Sequence, residues 1–131
     1  MAKDFDRWNE AKKDIEQVTF DKFVHAREVW WCSLGVNIGR EEDGNADFFE
    51  RPVLVINKFN RDMVLVVPLT TSPKRTPYHF RLVYNGSEVA VILSQLRLVS
   101  TKRLRRRMWR VAEPVFDEIR STVQRMIGGG L

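Results

Sequence analysis

Two short apolar runs near the middle of the chain constrain its fold most. Residues 51–56 read Arg-Pro-Val-Leu-Val-Ile, and residues 64–72 read Val-Leu-Val-Val-Pro-Leu-Thr-Thr-Ser. Both runs are rich in β-branched residues and carry polar residues at one end, which is typical of buried strands. If the two strands are neighbours, Arg51, Thr70 and Thr71 lie near the same rim of a small sheet. That rim is a candidate phosphate site.

The remaining pattern predicts more strands and two helices. A tight turn is predicted at Asn85-Gly86, since this pair favours the backbone of a two-residue hairpin. Apolar residues at helical spacing predict a helix over residues 4–24, with Asp4 or Asp6 as its cap, and a C-terminal helix over residues 113–127. The predicted strands are 28–34, 51–57, 63–69, 79–84, 88–93 and 106–111. Because no helix separates the central strands, the pattern favours a small closed or nearly closed β-barrel over a parallel sheet.

Length and charge favour one domain with an uneven charge distribution. We expect a single domain over residues 1–131, made of an N-terminal helical extension (1–25) and a barrel (27–131). The net charge is +5, with five acids and no base in residues 41–50, and seven bases and no acid in residues 89–112. The basic block indicates either a polyanionic or acidic partner, or a charged edge that prevents association between sheets. The sequence leaves these two readings open.

Cysteine and histidine usage gives no sign of a metal site. Cys32 is the single cysteine, lies in a strand-like run, and is interpreted as a packed, inert thiol. The two histidines, His25 and His79, are far apart in the sequence, so neither a metal nor another cofactor is predicted. No apolar run approaches the roughly 18 residues of a membrane span, and the charged N-terminus has no leader-like segment. We therefore expect a cytoplasmic protein.

The order of several short motifs resembles a known family. These motifs are Val29-Trp30-Trp31, Gly39-x-Glu41, Gly44, the run 51–56, Pro68-Leu69-Thr70-Thr71, Pro77-x-His79-Phe80 and the run 91–97. No single motif is unique, but their order and spacing together are specific. With these motifs the chain resembles the MazF/PemK (Kid) toxins of bacterial toxin–antitoxin systems from about Glu28 to Ile127.

The resemblance implies a fold, an activity and partners. It implies an SH3-like β-barrel with a C-terminal helix, a homodimer, and metal-independent, sequence-selective cleavage of single-stranded RNA, including mRNA. A cognate antitoxin is implied as the protein partner. Arg51 takes the place of the active-site arginine, and Thr70 or Thr71 that of the catalytic hydroxyl, with Thr70 fitting the pattern better. Glu41 matches a loop glutamate, and Gln95 lies in a stretch that often contacts RNA.

Metal-free RNA cleavage explains why these residue types suit the reaction. The 2′-hydroxyl attacks the neighbouring phosphate, so the site needs a base, a cation beside the crowded phosphate, and a donor for the leaving oxygen. Arg51 suits the cationic role because its planar fork bonds two phosphate oxygens. Thr70 and Thr71 are expected to orient the phosphate, and Glu41 to accept the 2′-proton. The predicted RNA-binding residues are Lys74, Arg75, Tyr78, His79, Gln95 and Arg97.

Several alternatives remain beside this reading. Arg51 is alternatively a surface arginine that pairs with Glu50, and the aromatic residues Trp30, Tyr78, Phe80 and Trp109 are either core residues or stacking platforms for bases, with Tyr78 expected to be the most exposed. The chain departs from the family at Glu42, where glutamine is usual, and at 45–50, which lengthens the loop and adds acids. The barrel is therefore alternatively an inactive binder of RNA or antitoxin, or a toxin that targets a protein, as the gyrase poison with this barrel does.

Overall fold

The computed structural model describes residues 3–18, 22–35, 37 and 49–131. Within these residues, seven strands and two α-helices follow one another, with short 3-10 turns at Leu93–Gln95 and Thr101–Arg103. The elements are α1 (Phe5–Glu16), β1 (Glu28–Ser33), β2 (Glu50–Lys58), β3 (Met63–Thr70), β4 (His79–Tyr84), β5 (Ser87–Ile92), β6 (Arg97–Ser100), β7 (Leu104–Arg110) and α2 (Glu113–Ile127).

All strand pairs are antiparallel, and β3 lies at the centre of the sheet. The strand order is β4-β5-β3-β2-β1-β7, and β6 pairs with β3 off this path. One side of β3 pairs with β2, while its other side pairs first with β6 and then, at Leu69 and Thr70, with β5. The predicted mainly β fold is therefore confirmed. Within the described residues the sheet remains open, because no ladder joins β4 to β7.

Two apolar clusters fill the two faces of this bent sheet. The larger cluster includes Val29, Leu54, Val67 and Val91 and is covered by α2. The second cluster includes Trp30, Cys32, Val53 and Val66 on the opposite face of the same strands. Continuous β-branched runs such as 53–56 arise because successive side chains point to opposite faces and both faces are buried.

The C-terminal helix α2 forms as the sequence predicts. It begins at Glu113, with Pro114 in its first turn, and ends before Gly128. Its buried face carries Phe116, Ile119 and Val123, which pack on the larger cluster. A proline at this position lacks only an N–H that a first helical turn leaves unpaired, so it favours the start of the helix.

The N-terminal helix α1 is shorter than the predicted range of residues 4–24. It ends at Glu16, and Asp4 caps its start by accepting a hydrogen bond from the Arg7 N–H at 3.0 Å. Of the predicted apolar stripe, Trp8 is buried, whereas Val18 is 37% exposed and follows the helix. The prediction overextended the helix: apolar residues continue to Val24, which is buried, but residues 22–25 reach the core without helical structure.

The basic block largely lies on β7, which is an end strand of the sheet. Its arginines pair with two buried glutamates, one on the adjacent strand β1 and one on β2, the next strand beyond. Arg107 and Arg110 contact Glu28, and Arg105 and Arg106 contact Glu50. Four arginines share two carboxylates, so the edge keeps a surplus of positive charge. The block is therefore a charged sheet edge that also keeps a net positive charge. Each of the two interpretations from the sequence requires one of these features.

Candidate functional site

The register of β2 and β3 brings Arg51 and Thr70 together. Val53 lies opposite Pro68, and the pairing continues inward from there. Extending the register by two residues sets Arg51 opposite Thr70, since both strands run on to these residues. Directly opposite side chains point to the same face with Cβ atoms about 4.5–5.5 Å apart. The two residues that the sequence placed at one rim are therefore neighbours.

Local hydrogen bonds fix both side chains at this rim. The Arg51 guanidinium donates from Nη1 to the Leu69 carbonyl at 3.1 Å, which holds it against the end of β3. The Thr70 hydroxyl oxygen accepts from the Ser72 N–H at 3.1 Å. A hydroxyl that accepts through its oxygen keeps its proton for donation. Thr70 is thus oriented as a donor beside a held guanidinium, and Thr71 is exposed next to it.

A groove of about 590 Å³ opens beside these residues. Its walls are mainly apolar and aromatic and include Trp31, Leu69, Tyr84, Met108 and Trp109. Its polar residues are Glu50, Arg51, Thr70, Thr71, Asn85, Ser87 and Arg106. A concave apolar site with a few convergent polar groups is the usual form of a ligand site.

Glu50 is a polar group of this groove that the sequence analysis considered only as a partner of Arg51. It is 7% exposed and pairs with Arg105 Nε at 3.4 Å and with Arg106 Nη1 at 3.3 Å. The Arg106 guanidinium also lies 5.0 Å from the centre of the Trp31 ring. Two features of the sequence point to this site: an acid, Glu50, stands directly before Arg51, and residues 103–110 are rich in arginine.

A positive patch extends from Arg51 and Thr70 along the same sheet face. Arg97 lies opposite Val66, four residues before Thr70 on β3, and is therefore about 13 Å from it along the strand. Arg103 lies near Arg97, since burial and the charge of Arg97 lower the pKa of Arg103. The predicted residue Arg97 is thus on the same sheet face as Arg51 but outside the groove.

Cys32 lies on this face as well, opposite Arg51 across β1 and β2. Burial raises the pKa of Cys32 to about 12, and the charges of Arg103 and Arg97 offset that only in part. Because a thiol reacts as the thiolate, this cysteine is inert as a nucleophile, in line with its sequence reading.

The other predicted RNA-binding residues lie apart from the groove walls. Lys74 and Arg75 are exposed on the segment between β3 and β4. Tyr78 is 38% exposed and is more exposed than Trp30, Phe80 or Trp109. His79 begins β4, where its Nδ1 lies 2.9 Å from the Thr76 hydroxyl. All four lie between the end of β3 and the first residue of β4.

Two predicted loop residues have different outcomes. Gln95 ends the 3-10 turn between β5 and β6 and is half-buried. Glu41 lies outside the described residues, as do Gly39, Glu42 and Gly44. The role of Glu41 therefore stays a prediction from the family resemblance.

Helix α1 contacts the chain on both sides of residues 38–48. Trp8 packs against Phe49, with ring centres 5.4 Å apart, and the Lys3 ammonium donates to the Asn37 carbonyl. Gly35 has φ +78°, and a Cβ there would lie 1.9 Å from the Trp8 ring, so the glycine allows this close contact. The N-terminal extension is thus attached where the segment carrying Glu41 leaves and rejoins the sheet.

Two absences concern the described part of the chain. No cluster of three or more histidine, cysteine, aspartate or glutamate side chains is placed there to hold a metal ion. Nor is either described helix long and apolar enough to cross a membrane.

Comparison with solved structures supports this fold. MazF from Deinococcus radiodurans is 21% identical, with a TM-score of 0.67, covering 82% of this chain and 99% of that one. A MazE–MazF complex from the same organism is 19% identical, with a TM-score of 0.61, covering 82% and 98%. An endoribonuclease in complex with its cognate antitoxin, from a mycobacterial species, is 16% identical, with a TM-score of 0.59, covering 79% and 93%. At these identities the likeness shows a shared fold.

The sequence itself gives the family. No curated protein sequence matches the chain at a significant level. The profile of one protein family, however, matches residues 25–127, which span the sheet and α2 and leave α1 outside. The chain therefore belongs to the PemK-like, MazF-like toxins of type II toxin–antitoxin systems.

Proposed function

We propose that the protein is an endoribonuclease that cleaves single-stranded RNA by attack of a 2′-hydroxyl on the adjacent phosphate. The products are a 2′,3′-cyclic phosphate and a 5′-hydroxyl end. The observation that carries this proposal is that Arg51 and Thr70 line one groove, with the Arg51 guanidinium bonded to the Leu69 carbonyl next to Thr70. Membership of the MazF-like toxins supports it.

Arg51 and Thr70 have complementary roles in this reaction. Arg51 binds the non-bridging oxygens of the phosphate and stabilises the charge that grows there, since an arginine fork matches two oxygens. It is a poor acid at neutral pH, because the guanidinium keeps its proton. Thr70 donates a hydrogen bond to the phosphate and keeps its proton, and Thr71 orients the same group. The leaving 5′-oxygen takes its proton from solvent water. Glu41 is our proposed base for the 2′-proton, on the family resemblance alone.

The positive patch is our proposed path for the RNA strand. Arg97 and Arg103 attract neighbouring phosphates, because a cation that neutralises a phosphate releases counterions from the nucleic acid. Tyr78 stacks on an unpaired base, and Lys74, Arg75, His79 and Gln95 contact the flanking nucleotides. RNA affinity is therefore expected to fall as salt rises.

We also propose that a cognate antitoxin binds this protein and that two copies form a homodimer. A MazE–MazF complex and an endoribonuclease–antitoxin complex share the fold. The surplus positive charge on β7 suits an acidic segment. Co-purification with the product of a neighbouring short reading frame tests the partner, and light scattering tests the dimer. The proposed site of action is the cytoplasm, where mRNA is found.

Mapping cut sites in a defined RNA with EDTA present tests the enzymatic proposal. The wild type is expected to produce new 5′-hydroxyl ends, and Arg51→Ala is expected to lose about 10²–10³ in rate. Arg81→Ala is a matched control, because Arg81 is a more exposed arginine that pairs with Glu88 on the neighbouring strand and does not line the groove. It should cleave as the wild type does.

Three other results would change the proposal. Intact RNA with the wild type would overturn the ribonuclease activity. A gel shift without new ends would indicate an inactive barrel that binds RNA. Inhibition of gyrase without RNA cleavage would indicate a toxin that targets a protein.

A further inference from the structure

The groove beside Arg51 and Thr70 holds more than a phosphate requires. A phosphate needs cations and hydroxyl donors, and the rim supplies these. The groove also has aromatic walls and a buried carboxylate, Glu50, which would repel a phosphate. The aromatic walls indicate a flat ligand, and the carboxylate indicates a ligand that carries hydrogen-bond donors.

The walls offer flat ring faces. Tyr84 and Trp109 lie with ring centres 4.5 Å apart and planes tilted by 35°, and Trp31 lies under the Arg106 guanidinium. All four side chains line the groove. Stacking on aromatic and guanidinium planes is how proteins hold unpaired bases.

The carboxylate of Glu50 has acceptor capacity left within the groove. An ionised carboxylate offers about four acceptor positions. Among the described residues, Glu50 receives donors from Arg105 and Arg106 alone, at 3.3–3.4 Å, which is long for such bonds. A ligand with N–H groups would fill the acceptor positions of Glu50 that the two arginines leave open.

The base that fits a carboxylate best is guanine. Its N1–H and N2–H donors are adjacent and match the two carboxylate oxygens. Uracil presents one N–H between two carbonyl oxygens, and adenine and cytosine present an amino group beside a ring acceptor that would face the carboxylate. Arg106, next to Glu50, would then meet guanine O6, which is a good acceptor for arginine.

We propose that this groove binds a guanine base of the RNA next to the cleaved phosphate, with Glu50 as the residue that selects it. The proposal rests on the proposed ribonuclease function. An acidic antitoxin segment fits less well, because Glu50 would repel it. An apolar side chain would cover the carboxylate without giving it a donor.

Binding of single-stranded 2′-deoxy oligonucleotides tests the proposal without depending on cleavage, because they lack the attacking hydroxyl. A thymine 12-mer with one central guanine is compared with the same oligomer carrying hypoxanthine, which lacks only the 2-amino group. The wild type should bind the guanine form about 5- to 150-fold more tightly. Glu50→Gln should bind both forms equally.

Glu28→Gln is the matched control. Glu28 is also a buried glutamate held by two β7 arginines, but it does not line the groove. This variant should keep the preference for guanine. Equal binding of both forms by the wild type, failure to bind either form, or equal loss of preference in both variants would overturn the proposal. So would a Trp109→Ala variant that loses a cognate antitoxin peptide yet keeps the preference for guanine.

Discussion

Glu28 and Glu50 are two buried glutamates in similar settings with different surroundings. Glu28 begins β1 and Glu50 begins β2, and each accepts hydrogen bonds from arginines of β7. Glu28 is 1% exposed and Glu50 is 7% exposed. Burying a carboxylate is costly unless it is paired and hydrogen-bonded, so the donors around each one show how that cost is met.

Glu28 is fully surrounded by donors. One oxygen accepts from the His25 N–H at 2.7 Å and from the Trp30 ring N–H at 3.1 Å. The other accepts from Arg107 at 3.2 Å and from Arg110 at 3.4 Å. Glu50, by contrast, faces a groove and has two arginine partners in the described structure.

The difference separates a carboxylate whose acceptor positions are filled within the fold from one that can accept further donors. A carboxylate whose acceptor positions are all filled, such as Glu28, links a loop, a strand and an edge strand. It has no acceptor position left for a ligand. An unsaturated carboxylate at a groove contributes less to folding and can accept donors from outside. Four stability experiments test this distinction.

The largest expected effect is that of removing Glu28. Glu28→Ala should lower the free energy of unfolding by about 3–5 kcal/mol, because it leaves charges and a buried ring N–H without their partner. Glu50→Ala should lower it by about 1–2 kcal/mol, since its two arginines can turn to water. Urea unfolding measures both. Equal losses would contradict the distinction.

Next in size is the loss of one donor to Glu28. Trp30→Phe should cost about 1.5–3 kcal/mol, because the ring N–H bonds an ionised group. Trp31→Phe changes a neighbouring tryptophan on the groove side and should cost less by at least about 1 kcal/mol. Thermal unfolding of the pair measures the difference. A larger loss for Trp31→Phe would argue against Glu28 as the main anchor.

The acid dependence of stability should follow Glu28. Burial raises the pKa of Glu28, but hydrogen bonds from His25, Trp30, Arg107 and Arg110 outweigh burial and hold that pKa below its ordinary value of 4.5. A carboxyl with a lowered folded pKa stabilises the protein fully above its unfolded pKa, and this contribution is lost as pH falls through the folded pKa. The stability gap between wild type and Glu28→Gln should therefore shrink as pH drops below 4.5. A constant gap would contradict this cause.

The smallest effect is expected from an exposed pair. Glu88→Gln removes a surface ion pair with Arg81 and should change the free energy of unfolding by less than about 1 kcal/mol. The loss in free energy of unfolding measured for this variant is the reference for the losses at the two buried glutamates. A loss as large as that of Glu50→Ala would mean that the groove carboxylate behaves as an ordinary surface charge.

Local patterns in the sequence predicted much of the fold. β4 and α2 have the predicted bounds, because the Asn85-Gly86 turn and the Pro114 start are encoded within a few residues. Arg51 and Thr70 were predicted at one rim because both stand at the ends of apolar runs. The predicted end of α1 was wrong, since the position at which a helix ends depends on tertiary contacts as well as on apolar spacing.

The groove was not predicted, because it depends on tertiary contacts. Its walls come from β1, β2, β3, β4, β5 and β7 and from the hairpin turn at Asn85. The roles of Glu28 and Glu50 depend on arginines that are 55–82 residues away in sequence. No spacing rule in the sequence gives such a pairing.

The docking of α1 has a consequence for the order of events during synthesis. Trp8 is made early, yet Arg103, whose guanidinium lies 5.6 Å from the Trp8 ring, and Lys102, which bonds the Glu16 carbonyl, are made late. A helix of 12 residues is marginal by itself in water. At about 5–20 residues per second, roughly 4–17 s separate the synthesis of α1 from that of its last partners. Helix α1 is therefore made well before its last partners and is among the last elements to reach its final place.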